Sequence, residues 1–250
     1  MTIVLYDLVS TLPHKAFAPN TWKTRFCLNY KGLSYRTAWI DLDRAAIKAG
    51  VYDKLGLAPL PSPDGSPAYL LPVIHDTATG VSVADSFAIA EYLERTYPAA
   101  QRLFPHNTAA LQSLVDGATF DGVIQSVLRF TVLDRYLVLR PVGKDYFRRT
   151  REAEFGMPLE DIAPKGNDAV AEWAKVEAAF GAIAAWYAKS EGPFILGPTV
   201  SWADFAVACW VMTARSIWGE ESQKWKEFAW WHGGLCAKII DDLKEYQKID

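Results

Sequence analysis

Three cysteines in 250 residues, Cys27, Cys209 and Cys236, are too few and too widely spaced for a disulfide framework. Their number is odd and none forms a CxxC pair, so a reducing, cytoplasmic compartment is expected. The four histidines (His14, His75, His106 and His232) are scattered, and none pairs with a cysteine at metal-ligand spacing. No metal site is expected. The chain has no apolar run of about 18 residues or more, the length a helix needs to span a bilayer. Its opening residues, 1–10, lack a basic stretch and carry Asp7 within a short apolar run, so no secretory leader is expected. There is no excess of either charge: the formal net charge is -3, with both signs mixed along the chain. That balance disfavours a nucleic-acid binder, for which a basic patch or stripe is the usual footprint. The cluster Arg148, Arg149 and Arg151 reads as a solvated helix face. Internal repeats and low-complexity tracts are absent.

The chain does have aromatic mass, with ten tryptophans and 13% aromatic residues overall. Helix packing accounts for most of it, and a pocket for flat ligands accounts for any remainder; composition does not separate the two.

The first hundred residues alternate in period. Residues 2–6, 35–40, 69–75 and 81–83 are β-rich runs. Between the first two, residues 20–31 place Trp22, Phe26 and Tyr30 on one helical face. Residues 86–96 repeat the pattern with Phe87, Ala90 and Leu93, with Asp85 as the expected cap. Residues 55–67 are rich in proline, glycine and serine and read as a loop. Residues 98–107 form a proline-bearing linker, and nearly everything beyond is helical in period. Residues 108–139 and 201–215 read as helices, as do 168–189, with Asp168 as the expected N-cap. The expected organisation is an α/β domain at 1–97 and an all-helical domain at 108–250.

Three local features of the first domain carry chemistry. At Ala18-Pro19-Asn20-Thr21, a proline opens a helix whose first free N–H groups attract anions and would favour a thiolate. Leu71-Pro72 puts a proline into a strand pattern, where it removes a ladder donor and allows a cis bond. Asp85-Ser86 at a helix start is a good cap. The pair also suits a free amino acid, whose carboxylate would meet Ser86 and the helix N–H groups while its amino group meets Asp85.

In order and spacing these features resemble the cytosolic glutathione transferase superfamily. The stretch Gly197-Pro198-Thr199-Val200-Ser201-Trp202-Ala203-Asp204 adds to the likeness, because it matches that family's capping box and hydrophobic staple. The resemblance implies a thioredoxin-like N-terminal domain, a helical bundle domain and a homodimer. It also implies glutathione as co-substrate, held at its cysteinyl backbone by Leu71 and Pro72 and at its γ-glutamyl end by Asp85 and Ser86. The run from Pro19 to Arg25 and Lys31-Gly32-Leu33-Ser34-Tyr35 are most similar to the fungal etherase-related class, whose members are associated with aromatic, wood-derived compounds.

One departure matters. Serine-type relatives carry their serine, and cysteine-type relatives their cysteine, where this chain has Ala18. Thiol–disulfide exchange through an enzyme cysteine is therefore not expected, and Cys27 reads as core. Asn20 is the first candidate to hydrogen-bond the glutathione thiolate, with Thr21 next. Phe17, Trp22, Phe120 and Phe130 are candidates for an aromatic site between the domains, and Lys48 or Arg44 for the glycyl carboxylate. The expected activity is conjugation of glutathione to electrophilic aromatics, with β-aryl ether cleavage as one candidate reaction. The alternative is a ligandin that sequesters small aromatic compounds with little turnover.

Overall fold

The computed structural model describes residues 2–62 and 64–250. Met1 and Pro63, which fall in the expected first domain and its proline-rich loop, lie outside the described residues.

Strand β1 (Ile3–Leu8) is the centre of a four-stranded sheet ordered β2-β1-β5-β6. The chain leaves β1 through the long loop 9–18 and forms helix α1 (Pro19–Tyr30). It then returns as β2 (Tyr35–Ile40), parallel to β1. A parallel return needs such a crossover, and the helix supplies it. Helix α2 (Arg44–Ile47) continues as a π-turn over Lys48–Asp53. Where a plain loop was expected at 55–67, two residues on each side pair as β3 (Leu60–Pro61) and β4 (Pro67–Ala68). Strand β5 (Val73–Asp76) runs antiparallel to β1, and β6 (Val81–Ala84) antiparallel to β5. The β-rich run at 69–75 thus yields a strand only after Pro72, because the proline cannot join the ladder. Helix α3 (Ser86–Thr96) packs beside α1. This is the thioredoxin-like arrangement expected from the sequence.

The rest is helical. Helix α4 (Ala109–Thr119) passes through a π-turn (Phe120–Ile124) into α5 (Gln125–Leu137), so the period over 108–139 belongs to two helices joined by a wider turn. Helix α6 (Pro141–Phe155) carries the arginine cluster. Arg148 pairs there with Glu152 and Glu160, and Arg151 with Glu154, so these two serve as surface ion pairs. Helix α7 (Gly166–Tyr187) begins two residues before Asp168. Asp168 is therefore not its N-cap; it lies in the first turn, where a carboxylate complements the helix dipole.

Helix α8 (Trp202–Trp218) is the axis of this domain. Asp204 accepts from Ser201 N–H at 2.9 Å and from Ile195 N–H at 2.9 Å, completing the expected capping box. Helix α9 (Gln223–Asp242) breaks at Trp231, and His232, Gly233 and Gly234 all take left-handed backbone angles there.

The two domains share one core. Phe26 of α1 stacks on Phe205 of α8 with ring centroids 5.3 Å apart, and Trp22, Ile89, Leu93 and Met212 continue the same cluster. Cys27, Cys209 and Cys236 are buried and unpaired, and burial pushes each thiol upward from its ordinary value. None is placed to act as a nucleophile.

Candidate functional site

The three chemical features of the first domain meet at the C-terminal end of β1. Tyr6 of β1 pairs with Val73, the residue after Pro72, and Val73 pairs with Ala84, the residue before Asp85. The strand ladder alone therefore sets the proline and the Asp85-Ser86 pair side by side. Asp85 N–H donates to the Pro72 carbonyl at 3.3 Å, tying the two loops together directly. Helix α1 starts at the same end of the sheet, since Thr21 of its first turn lies beside Asp7, near the end of β1.

The Leu71–Pro72 peptide is cis. The segment leading into it is anchored by Tyr52, whose hydroxyl donates to the Leu70 carbonyl at 2.8 Å and accepts from Leu70 N–H at 3.1 Å. Neither the N–H nor the carbonyl of Leu71 takes a partner among the described residues. Backbone groups left unpaired beside a sheet suit a peptide ligand that would bond with them.

Asp85 has φ 80°, a conformation that side-chain-bearing residues rarely adopt. Its carboxylate is nonetheless well used: Oδ1 accepts from Phe87 N–H at 2.9 Å and from Ala88 N–H at 3.0 Å, capping α3. Strain of this kind persists where surrounding contacts hold it, and it gathers at binding sites. Ser86 follows, largely buried, at the positive end of the same helix.

Pro19 occupies the first position of α1, as its sequence context predicts, and the preceding Ala18 caps nothing with its side chain. The N–H groups of Asn20 and Thr21 have no intrahelical acceptor, being in the first turn. The Asn20 side chain is exposed at this helix start, so it is available to a ligand. Thr21 is not: its side chain is turned inward, 1% exposed, and its hydroxyl finds no geometric partner among the described residues. It lies instead in the electrostatic reach of Asp7. A side-chain role for Thr21 toward a thiolate does not fit this placement.

The four aromatic candidates do not converge. Phe17 is buried with Val132, Leu139 and Phe147, and its carbonyl accepts from the Thr213 hydroxyl at 2.9 Å. It packs the domains together and presents no ring surface to a ligand. Trp22 is also buried and floors a cleft against the C-terminal end of α8. Phe120 is exposed beside Trp210, 5.9 Å between centroids. Phe130 meets Trp173 edge-on at 4.9 Å and lines an outer groove of the helical domain. Their expected place between the domains nominated these residues, and a sequence cannot tell a core face from a pocket wall. Of the basic candidates, Lys48 is paired with Asp53 at 2.7 Å, and Arg44 donates to the Pro67 carbonyl. Both lie over the Tyr69 ring.

A thioredoxin-like domain with an unpaired backbone beside a cis-proline, a capped acidic-serine turn and a helical partner domain is the architecture of a glutathione-binding protein. Comparison with known proteins agrees. Residues 17–96 match the family model for the glutathione S-transferase N-terminal domain, and residues 110–246 match that for the C-terminal domain. The chain is 37% identical to a glutathione S-transferase of Ceriporiopsis subvermispora solved in complex with glutathione. That superposition has a TM-score of 0.93 and covers 100% of this chain and 99% of the other. It is also 37% identical to the glutathione transferase GSTFuA3 of Phanerochaete chrysosporium, with a TM-score of 0.91 and the same coverage. Among curated proteins it is 28% identical to the glutathione S-transferase-like protein ustS of Aspergillus flavus, over 92% of this chain and 88% of that one. The chain belongs to the cytosolic glutathione S-transferase superfamily.

Proposed function

We propose that the protein binds glutathione at the C-terminal end of β1 and presents its thiolate at the start of α1 to electrophilic aromatic compounds. The observation that carries this reading is the convergence of Leu71-Pro72, Asp85-Ser86 and the α1 start, joined by the β1–β5–β6 ladder. The cysteinyl backbone would pair with Leu71. The γ-glutamyl carboxylate would meet Ser86 and the α3 N-terminus, with its amino group on Asp85. The thiolate would lie against the free N–H groups of α1 and the amide of Asn20.

A free thiol of this kind has a pKa of roughly 8.5 and is mostly protonated at neutral pH. One hydrogen bond to the charged form contributes about 1.5–3 kcal/mol, or about one to two pKa units. Asn20, exposed at the helix start, would supply it. The similarity to the two fungal enzymes supports a position in the fungal etherase-related class. The exposed Leu111 and Leu114 of α4, 65% and 69% accessible, support a homodimer. The three free cysteines suit a reducing cytoplasm.

Ala18 supports a second reading. Without a hydroxyl there, thiolate stabilisation is weakened, and a ligandin that holds aromatic compounds with little turnover becomes the competing function. The test is a conjugation assay with glutathione and phenethyl isothiocyanate against the uncatalysed rate, beside a calorimetric titration of glutathione. Turnover above background supports the transferase. Glutathione binding without turnover selects the ligandin, and absence of glutathione binding overturns both.

A further inference from the structure

A groove of roughly 500 Å³ runs between helices α5, α7 and α9, and no residue of the first domain lines it. Its long wall is one face of α7, where Val170, Trp173, Ala174 and Glu177 recur at helical spacing. Lys224 and Glu227 of α9 form the opposite wall. Phe130 of α5 completes the groove, edge-on to Trp173 with centroids 4.9 Å apart. Beyond Glu177 the two helices are tied together, because His232 Nε2 donates to the Glu177 carbonyl at 2.7 Å. Trp173 is held across the groove by its indole N–H, which donates to Glu227 at 2.9 Å.

The charge facing this aromatic surface is negative. Glu177 and Glu227 are both exposed in its walls. The nearby lysines are already taken: Lys224 by Asp134 at 2.8 Å, Lys175 by Glu172 at 2.6 Å and Lys226 by Glu221 at 2.9 Å. Glu177 is left with no basic partner among the described residues, and Glu227 has only the neutral indole. Three carboxylates (Asp134, Glu177 and Glu227) thus surround one ammonium, that of Lys224. The apolar side is equally open, since Val170 at the rim is 72% exposed. Aromatic faces attract cations, so rings and carboxylates here favour the same sign of guest.

We propose that this groove is a second ligand site, for small aromatic ammonium compounds. The ammonium meets Glu177 and Glu227, and the ring lies against Val170, Trp173 and Phe130. A hydrated metal ion makes no use of the apolar wall, and an organic anion meets two carboxylates that nothing neutralises. The site stands independently of the glutathione reading.

The test is an NMR titration that follows the Trp173 indole N–H of the full-length, ¹⁵N-labelled protein, with phenethylammonium as ligand and 2-phenylethanol as the uncharged control. At low salt the ammonium is expected to bind at least about fivefold tighter than the alcohol, from two exposed ion pairs. That preference is expected to shrink in about 0.5 M sodium chloride. The double substitution Glu177→Gln with Glu227→Gln is expected to remove it; glutamine at 227 still offers an oxygen to the indole. Glu177→Lys, on an exposed helix face, is expected to weaken the ammonium further and to leave the alcohol unchanged. Saturating S-benzylglutathione is expected to leave the affinity as it was. An unmoved Trp173 resonance, equal affinity for ammonium and alcohol, indifference to the substitutions, or displacement by S-benzylglutathione would each overturn the proposal. Glutathione affinity is measured separately, so failure of one site does not mask failure of the other.

Discussion

Arg25 of α1 and Asp7 of β1 form an ion pair 2.8 Å long with both side chains sealed from solvent. The guanidinium is enclosed by the rings of Trp22, Tyr35 and Trp39, each with its centroid 5.6 to 5.7 Å away, and donates to the hydroxyls of Tyr35 and Thr37. Burial raises the Asp7 carboxyl above its ordinary value, and the Arg25 charge opposes that rise. Removing Arg25 strands a buried carboxylate. Arg25→Met is expected to cost about 3–5 kcal/mol in denaturant unfolding. Asp7→Asn in the same background is expected to restore part of it, because the stranded charge is then gone.

At the α1 start, the amide of Asn20 and the missing hydroxyl at Ala18 make opposite predictions. Asn20→Ala is expected to raise the pKa of bound glutathione by about one to two units. Ala18→Ser is expected to lower it by a similar amount and to raise the conjugation rate at neutral pH. Ultraviolet absorbance of the thiolate as a function of pH reads both shifts directly. An unmoved thiol pKa in both variants would remove Asn20 and the helix start from the thiolate's environment.

Asp85 caps α3 and, in the proposed function, also meets the amino group of glutathione. Substitution by asparagine separates the roles, because asparagine caps about as well and tolerates positive φ. Asp85→Asn is expected to change stability by no more than about 0.5 kcal/mol. Glutathione affinity is expected to fall about ten- to a hundredfold, the worth of a charged hydrogen bond. Thermal unfolding and calorimetry, run on the same preparation, decide between a cap and a ligand contact.

Asp204 links pH to stability. Burial pushes its carboxyl up to about 6 despite the hydrogen bonds from Ile195, Ser201 and Tyr187. A folded-state value above the unfolded one means the folded chain holds this proton more tightly. The stability Asp204 contributes is therefore fully present below its unfolded value, near 4, and declines as pH rises through about 6. Asp204→Asn is expected to destabilise by about 1–3 kcal/mol, since its NH₂ must face a backbone N–H that the carboxylate accepts. The stability difference between wild type and variant should narrow from pH 4 to 6 and stay level above that; urea unfolding across the range measures it.

The fold was legible where local chemistry and tertiary structure agree. Pro19 opens α1, Asp85 caps α3, and Ser201 with Asp204 boxes the start of α8, each as its local pattern predicts. The neighbourhood of Pro72 and Asp85 was legible through family resemblance, since neither residue alone says more than edge strand or cap. What stayed hidden depended on direction. Thr21 and Phe17 sit beside the site in sequence but face the core, and helical period does not say which side of α1 meets the sheet and which meets α8. The break in α9 had a local signal in Gly233 and Gly234, but the left-handed turn also needs His232, whose ring bonds the Glu177 carbonyl at 2.7 Å from another helix.

The loop 9–18 meets the helical domain by strand-like pairing. Ser10 bridges to Leu139, and both the N–H and the hydroxyl of Thr11 donate to the Val138 carbonyl, at 2.8 and 3.1 Å. Cutting the chain in the linker would leave two fragments with matching halves of one hydrogen-bonded seam beside an apolar interface. Co-expressed, such fragments have a built-in register for reassembly, which makes this fold a natural two-piece reporter in which signal returns only when both halves meet.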